Sequence, residues 1–435
     1  MSSDDIARVE SVVRRQNDWR LAETINLIAS ENVLSARARA LLPSDFNHRY
    51  AEGHPGARYY EGTQQIDLVE AEVRERMARL FRCTRVEVRT ISGTNANDVV
   101  FASLVPRGAP VMVNSLPVGG HISHQAIGGM GKYTRDILQF PRLPDGYRID
   151  VAASKDLLRE KKPSLVVFGK SLILFPEPLK ELAPVAKEVG ATVIYDGAHV
   201  LGLIAGKRFQ DPLKEGAEIL MGSTHKTFPG PQRGVLMGNL ADEPWKKIDR
   251  MAFPGCLSNH HLMTLPPLLV ATIEMEDFGE AYAAQIIANA KHFAVSLQKA
   301  GFDVACADLG FTESHQVAVN VRAYGGGGKA AEVLTANDII VNRNLLPHDP
   351  PKQVNNPSGL RLGVQEMTRW GMHQAEMEEI ARLIKECVIG GKNVKDDVHR
   401  LKGRFTRVAF CHDRPGREPS SATAADPLDM DMAGY

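Results

Sequence analysis

From Arg85 onward, short apolar and often β-branched runs alternate with stretches of helical periodicity: PVMVN at 110–114, SLVVFG at 164–169, ATVIYD at 191–196 and EILMGS at 218–223. Runs this short and this continuously apolar fit strands buried on both faces, and the amphipathic stretches between them fit crossover helices. The pattern predicts an α/β architecture with a mostly parallel central sheet. Ligands of such sheets bind beyond the carboxyl ends of the strands, where Asp196 and the run from Ser223 to Lys226 fall. Past about residue 270 the texture changes. MEDFGEAYAAQIIANAKHFAVSLQKAG reads as one long helix, followed by the strand-like FDVAC and HQVAVNV and a second helix near 373–389. This predicts a smaller C-terminal α/β domain that closes over the first.

The chain therefore divides into an N-terminal helical segment (1–30), a large domain (31–270), a small domain (271–402) and a tail (403–435). The tail is rich in Pro, Ser, Ala and Asp from about Asp413 and is expected to be disordered. The tetraglycine Gly325 to Gly328 is expected to be a flexible connection before a helix starting near Lys329.

Composition changes this picture little. At 435 residues, 43% hydrophobic and 24% charged, the chain has the make-up of a soluble globular protein too long for one ordinary domain. Lys+Arg and Asp+Glu both number 52, so no global field favours nucleic acid or an anionic membrane, and neither is expected as a partner. The opening MSSDDIARVESVV lacks the apolar stretch of a signal peptide, and no run is long enough to span a bilayer, so a cytoplasmic location is expected. The five cysteines are scattered, without CxxC or zinc spacing, which suits a reducing compartment.

The chemistry begins with a lysine. STHKT follows a buried strand and precedes FPGPQRGVL, which puts Lys226 in a turn framed by glycine and proline at the mouth of the sheet. Desolvation there lowers a lysine's pKa and makes it a carbonyl-reactive amine, although a solvated surface lysine fits the same letters. Asp196 ends its strand and can point a carboxylate into the crevice, with His199 three residues on, although such an Asp is often a helix cap. In SGTNAN, Ser92, Gly93 and Thr94 precede a helical run, an arrangement that binds a phosphate or simply caps the helix. In GGHISH the glycines allow close backbone approach and His121 can lie flat against a ring, or be a core histidine. Arg361 in NPSGLRLG suits bidentate capture of a carboxylate. Phosphate site, stacking histidine, aspartate, Schiff-base lysine and distal arginine, in that order, are expected of aspartate-aminotransferase-like enzymes that use pyridoxal 5'-phosphate, the fold-type I class.

Across nearly the whole chain to about residue 390, the sequence resembles the serine hydroxymethyltransferase family. The shared stretches are LIASEN at 27–32, RYAEGHPGARYYEG at 49–62, SGTNAN, GGHISH, DGAHVLGLIAG at 196–206, GSTHKT at 222–227 and GLRLG at 359–363. FTESHQV and the run through THKTFPGPQ look like the archaeal-type branch. The resemblance implies that Lys226 holds the cofactor covalently, that Asp196 pairs with its pyridinium nitrogen and that His121 stacks on its ring. It places His199 and Ser171 near the phenolic oxygen, and Ser92, Gly93, Thr94, Ser223 and His225 around the phosphate, with Gly255 of a second subunit. Ser30 and Arg361 would bind the amino-acid carboxylate, assisted by Tyr60. Glu52 would be the acid-base group at the substrate hydroxyl, with Tyr50 beside it. The implied assembly is a homodimer with shared sites, or a tetramer.

The chain departs from the familiar bacterial and eukaryotic pattern after FPG, where FPGCLSNHHLMTLPP replaces a glycine-rich segment, and in the loops after His124 and before Arg361. Adjacent His260 and His261 diverge and lack a carboxylate cluster, so a structural role and no metal are expected. The departures leave the pyridoxal chemistry intact and open the question of the one-carbon carrier. One reading is transfer between serine, or an α-substituted analogue, and glycine with tetrahydrofolate or a modified tetrahydropterin. The other is carrier-free aldol or transaldol chemistry on threonine-like substrates, since threonine transaldolases are similar around GLRLGVQEMTR. A non-catalytic regulator or RNA-binding relative is the alternative of another class, and it has no use for Lys226, Asp196, Glu52 and Arg361 together.

Overall fold

Seven strands build the large sheet: β1 (Arg85–Glu87), β2 (Val111–Val113), β3 (Ile137–Gln139), β4 (Leu165–Phe168), β5 (Thr192–Asp196), β6 (Ile219–Ser223) and β7 (Gly234–Gly238), in the spatial order β1, β7, β6, β5, β4, β2, β3. They are seen in a computed structural model that describes residues 2–350 and 352–413. Neighbours from β3 across to β6 run parallel, while β7 is antiparallel to both β6 and β1. All four apolar runs read from the sequence are strands of the parallel part. Alternate residues enter different cores: Val166, Phe168, Val193 and Tyr195 join one cluster, Leu165, Val167 and Ile194 the other. Burial on both faces explains why these strands carry continuous apolar runs in place of an alternating pattern.

The reversal into β7 follows from its connection. A crossover would return the chain parallel, but β6 is joined to β7 by a short turn closed by Thr224 N donating to Arg233 O (3.0 Å). Lys226 sits in that turn.

The small domain has an antiparallel sheet of β8 (Asp303–Val304), β9 (Gln316–Asn320), β10 (Asn342–Asn344) and β11 (Gly359–Gly363), ordered β8, β9, β11, β10. Arg361 is on a central strand. A helix at Leu265–Lys299 runs through the boundary drawn at 270, starting ten residues before the segment MEDF. Pro266 and Pro267 fall in its first turn, where proline's missing N–H has no partner to lose. It touches the helix Gln64–Phe81 of the large domain and the helix Gln374–Val388 of the small one.

Three expectations are corrected. Residues 1–30 are helical only as far as Glu23; Ile25–Asn26 is a strand parallel to Ile339–Ile340, and Ile28 bridges Leu362, so this segment is bound to the small domain. The tetraglycine is not a loose connection: Gly326–Ala336 is a helix, and a Cβ on Gly327 would lie 2.4 Å from Gly359 O. Close backbone contact, not flexibility, requires glycine there. Residues 404–413 of the expected disordered tail lie against the body, with Ala409 N donating to Arg369 O (2.7 Å) and Asp413 accepting from Ala36 N (2.7 Å). The remainder of the tail lies outside the described residues. No helix among those described is long and apolar enough to cross a membrane.

Candidate active site

A cavity of about 200 Å³ lies beyond the carboxyl ends of the parallel strands, and Lys226, Asp196, His121, His199, Ser171, Ser92, Gly93, Thr94, Ser223 and His225 all line it. The turn that presents Lys226 is locked on both sides. Thr224 Oγ1 donates to Pro231 O (2.6 Å), and Thr227 Oγ1 donates to His199 O (2.8 Å) while accepting from Gly202 N (3.0 Å). Only 9% of Lys226 is exposed, and burial pushes its pKa down to about 8, partly opposed by Asp196 and assisted by Arg361. A buried amine that loses its proton this readily is a competent nucleophile.

Asp196 ends β5 and stays anionic. Burial opposes the charge, but His124 and Asn97 outweigh it and hold the carboxyl well below the usual range. Its Oδ2 accepts from His124 Nε2 (2.9 Å) and Asn97 Nδ2 (3.0 Å), and its Oδ1 from Ala198 N (3.0 Å). His121 accepts at Nδ1 from Ser123 N (3.2 Å), and burial lowers its pKa to about 4, so its ring is neutral with the proton on Nε2. His121, His124 and Asp196 present ligand atoms within 4.8 Å of one another. The direct bond between His124 and Asp196 already accounts for that closeness.

At the other end, Ser92 caps the helix Gly93–Leu104 by accepting from Asn95 N (3.1 Å). The first amides of a helix have no acceptor within it and carry partial positive charge, which makes this end an anion site. A Cβ on Gly93 would lie 2.4 Å from Ser223 Oγ, so a side chain there would push that hydroxyl from its place beside the helix start. His225 has its Nδ1 buried without a partner, and burial followed by Lys226 lowers its pKa to about 4. An amine, an anion facing it, an anion cradle and an orphaned polar nitrogen fit an aldehyde cofactor with a phosphate arm.

Arg361 borders this cavity through its wall. Its Nη1 donates to Ser171 O (2.7 Å) and its Nε to Asn342 Oδ1 (3.2 Å), and burial alone lowers its pKa to about 10. No carboxylate pairs with it among the described residues, although it is only 8% exposed. A buried guanidinium without an anion is costly unless a ligand supplies one.

Other expected site residues lie elsewhere in this chain. Ser30 is half-buried in a segment laid along β11, where Gly363 N donates to Leu27 O (2.8 Å). Tyr50 and Tyr60 are 51% and 45% exposed, with ring centroids 5.2 Å apart, and neither they nor Glu52 line the cavity. Glu52 is nonetheless held by its backbone. Arg58 Nη1 donates to the carbonyls of Ala51 (2.7 Å) and Gly53 (2.9 Å) on either side, while its Nη2 donates to buried Glu70 (2.7 Å). Gly255 is exposed in the turn Met251–Cys256. His260 is fully buried against Arg233, and His261 contributes its carbonyl to the same arginine (2.9 Å), so the pair does not face a common point.

Sequence reading missed Asn97, His124, Lys170, His315 and Gln316. His124 is the last letter of GGHISH, but nothing in the motif shows that it reaches Asp196. Gln316 leaves a better trace as an amide heading the apolar run Val317–Val319 of β9, where it is fully buried.

A serine hydroxymethyltransferase family model matches residues 3–384. The serine hydroxymethyltransferase of Methanothermobacter marburgensis is 46% identical over 417 residues, covering 95% of this chain and 97% of that protein. That of Thermoplasma acidophilum is 46% identical over 415 residues, with the same coverage of 95% and 97%. Among solved structures, an L-threonine transaldolase from Pseudomonas fluorescens superposes with a TM-score of 0.85 at 29% identity, covering 95% of this chain and 94% of the other.

Proposed function

The chain belongs to the serine hydroxymethyltransferase family, and on that premise we propose that it interconverts serine and glycine with pyridoxal 5'-phosphate bound at Lys226. The observation that carries this reading is buried Arg361, which has no anion of its own among the described residues, beside the same wall as the buried amine of Lys226. An amino acid brings the missing carboxylate, and its amino group is then directed toward the cofactor.

Bound pyridoxal phosphate supplies the electron sink that receives the pair left at Cα when the bond to Cβ breaks. This chain's residues supply the rest. Anionic Asp196 would keep the ring nitrogen protonated by pairing with it, and neutral His121 would support the ring's face. The helix start at Gly93 and Thr94, with Ser92, Ser223 and His225, receives the phosphate. Arg361, with Ser30 and Tyr60, orients the substrate by its carboxylate, and Glu52 beside Tyr50 takes the proton from the β-hydroxyl. Because Glu52, Tyr50, Tyr60 and Gly255 lie outside their own chain's cavity, the reading includes a homodimer whose partners complete each other's sites. The contact between Tyr59 and Phe253 (5.9 Å) makes these segments one continuous surface.

The one-carbon acceptor in this reading is tetrahydrofolate or a modified tetrahydropterin. A second reading, a carrier-independent threonine-type aldolase or transaldolase, is favoured by the superposition on the L-threonine transaldolase. One panel tests both: purified protein with serine, threonine, allo-threonine and α-methylserine, each with and without tetrahydrofolate. We expect a yellow protein whose spectrum shifts with glycine and whose serine cleavage needs the pterin. An unchanged spectrum with both glycine and serine overturns the amino-acid reading; serine cleavage equally fast without pterin overturns the carrier.

A further inference from the structure

We propose that Gln316 is a positioning residue of the active site: it fixes the proton of His199 on Nε2 and, through the carbonyl of Ser171, sets the guanidinium of Arg361. Every hydrogen of this amide has one acceptor. Gln316 is fully buried on β9, and its Oε1 accepts from Ile173 N (2.8 Å). The amide therefore cannot be reversed, since its NH2 would then face an N–H. Its Nε2 has two hydrogens and three neighbours: Ser171 O (3.0 Å), His199 Nδ1 (3.0 Å) and His315 Nε2 (3.3 Å).

The third neighbour excludes itself. His315 Nε2 lies 3.1 Å from Ala29 O, and a carbonyl can only accept, so that nitrogen carries a hydrogen and has no lone pair for Gln316. Both amide hydrogens go to Ser171 O and His199 Nδ1. Nδ1 of His199 is thus an acceptor. Its ring is neutral, because burial, followed by the charges of Lys226 and Arg361, pushes its pKa well below the usual histidine value. The one proton of a neutral imidazole must then be on Nε2. The rings of His199 and His315 stack at 5.7 Å and 19°, which restrains the orientation.

Ser171 O accepts from Gln316 Nε2 and from Arg361 Nη1 (2.7 Å), so both of its lone pairs are used. One amide thereby governs two groups that face different parts of the ligand: a histidine donor at the cavity wall and the arginine for the substrate carboxylate. The consequence for catalysis rests on the pyridoxal reading above, with His199 near the phenolic oxygen as the family resemblance implies: an Nε2–H at the cavity wall would donate to that oxygen, whereas a proton on Nδ1 would leave it facing a lone pair.

Gln316→Glu is the discriminating variant. It keeps the size and the acceptor for Ile173 N but replaces the donor by a second acceptor. In 15N-histidine NMR of the cofactor-free protein, with His199 assigned from a His199→Asn variant, we expect the Nε2–H form in the unaltered protein and the Nδ1–H form in Gln316→Glu. Gln316→Met, which removes the amide without adding charge, should give a mixture and serves if the first variant does not fold. In the cofactor-loaded protein, Gln316→Glu should move the visible band and lower kcat/KM for serine by about tenfold or more, the scale of one lost hydrogen bond. The same tautomer in the unaltered protein and both variants overturns the proposal, as does a fall in Tm with no tautomer change. A missing visible band in the unaltered protein would instead overturn the pyridoxal reading, with the tautomer still decided by NMR.

Discussion

The side-chain amide of Asn32 donates to the backbone carbonyl of Lys226 across 2.6 Å. The same nitrogen donates to Tyr282 Oη (2.9 Å), whose hydroxyl donates to Gln365 O (2.8 Å). The asparagine of LIASEN therefore ties the lysine turn to the long helix and to the small domain. We expect Asn32→Ala to cost about 1–3 kcal/mol, the scale of leaving a buried polar group unpaired, and to speed loss of the cofactor. Thermal unfolding and the decay of the visible band measure the two effects. Unchanged cofactor retention would show that the lysine turn holds itself.

Lys226 makes the cofactor-free protein's stability pH-dependent. Its pKa falls from 10.5 to about 8 on folding. Between those values the unfolded chain holds a proton that the folded one has released, so stability rises with pH across that window and the burden is fully present below about 8. Lys226→Met should therefore stabilise the cofactor-free protein at pH 7 by about 1–3 kcal/mol, an advantage that shrinks toward pH 10. Denaturant unfolding at pH 7, 8.5 and 10 gives the comparison.

Arg361 should resist its most conservative replacement. A lysine keeps the charge but loses the planar fork that meets a carboxylate with two parallel hydrogen bonds, and it cannot hold Ser171 O in the same geometry. Arg361→Lys should raise the amino-acid KM by about tenfold to a hundredfold, with the cofactor still bound. Spectral titration with glycine reads the loss. An unaltered midpoint would remove Arg361 from the carboxylate site.

Glu366 gives a second window, of opposite slope. Asn26 Nδ2 donates to Glu31 Oε2 (2.8 Å) and to Glu366, and Arg20 Nη2 bonds Glu31 (2.5 Å), so two carboxyl groups share one amide behind the N-terminal strand. Burial first, with Glu31 adding to it, raises the Glu366 pKa from 4.5 to about 7. Between these values the folded state holds the extra proton, so stability falls as pH rises from 4.5 to 7. Glu366→Gln mimics the protonated group and should flatten that fall, leaving the variant more stable than the parent at pH 8. Equal pH slopes would count against a protonated Glu366.

Much of the fold is legible because burial on both faces leaves a direct mark: a strand such as Leu165–Phe168 has no wet side, so its letters are all apolar. The antiparallel β7 leaves no such mark of direction, since only the turn holding Lys226 decides it. Residue types at the ends of strands and before helices also locate Asp196, Lys226 and the Ser92 to Thr94 cradle, because their places in the chain dictate their places in the sheet.

Pairings between distant segments are another matter. That Lys226 stands in a turn beyond a buried strand is determined by the sequence alone, and so is the class of chemistry it shares with Asp196 and Arg361. Its lowered pKa, the bond of Asp196 to His124 and the hold of Gln316 on His199 and Ser171 depend on residues up to 145 positions apart. Hydrogen bonds are directional over about 3 Å, and no periodicity along a chain encodes such a distance. Only the tertiary structure, by closing the small domain's β9 and β11 onto the large sheet, decides which buried donor meets which acceptor.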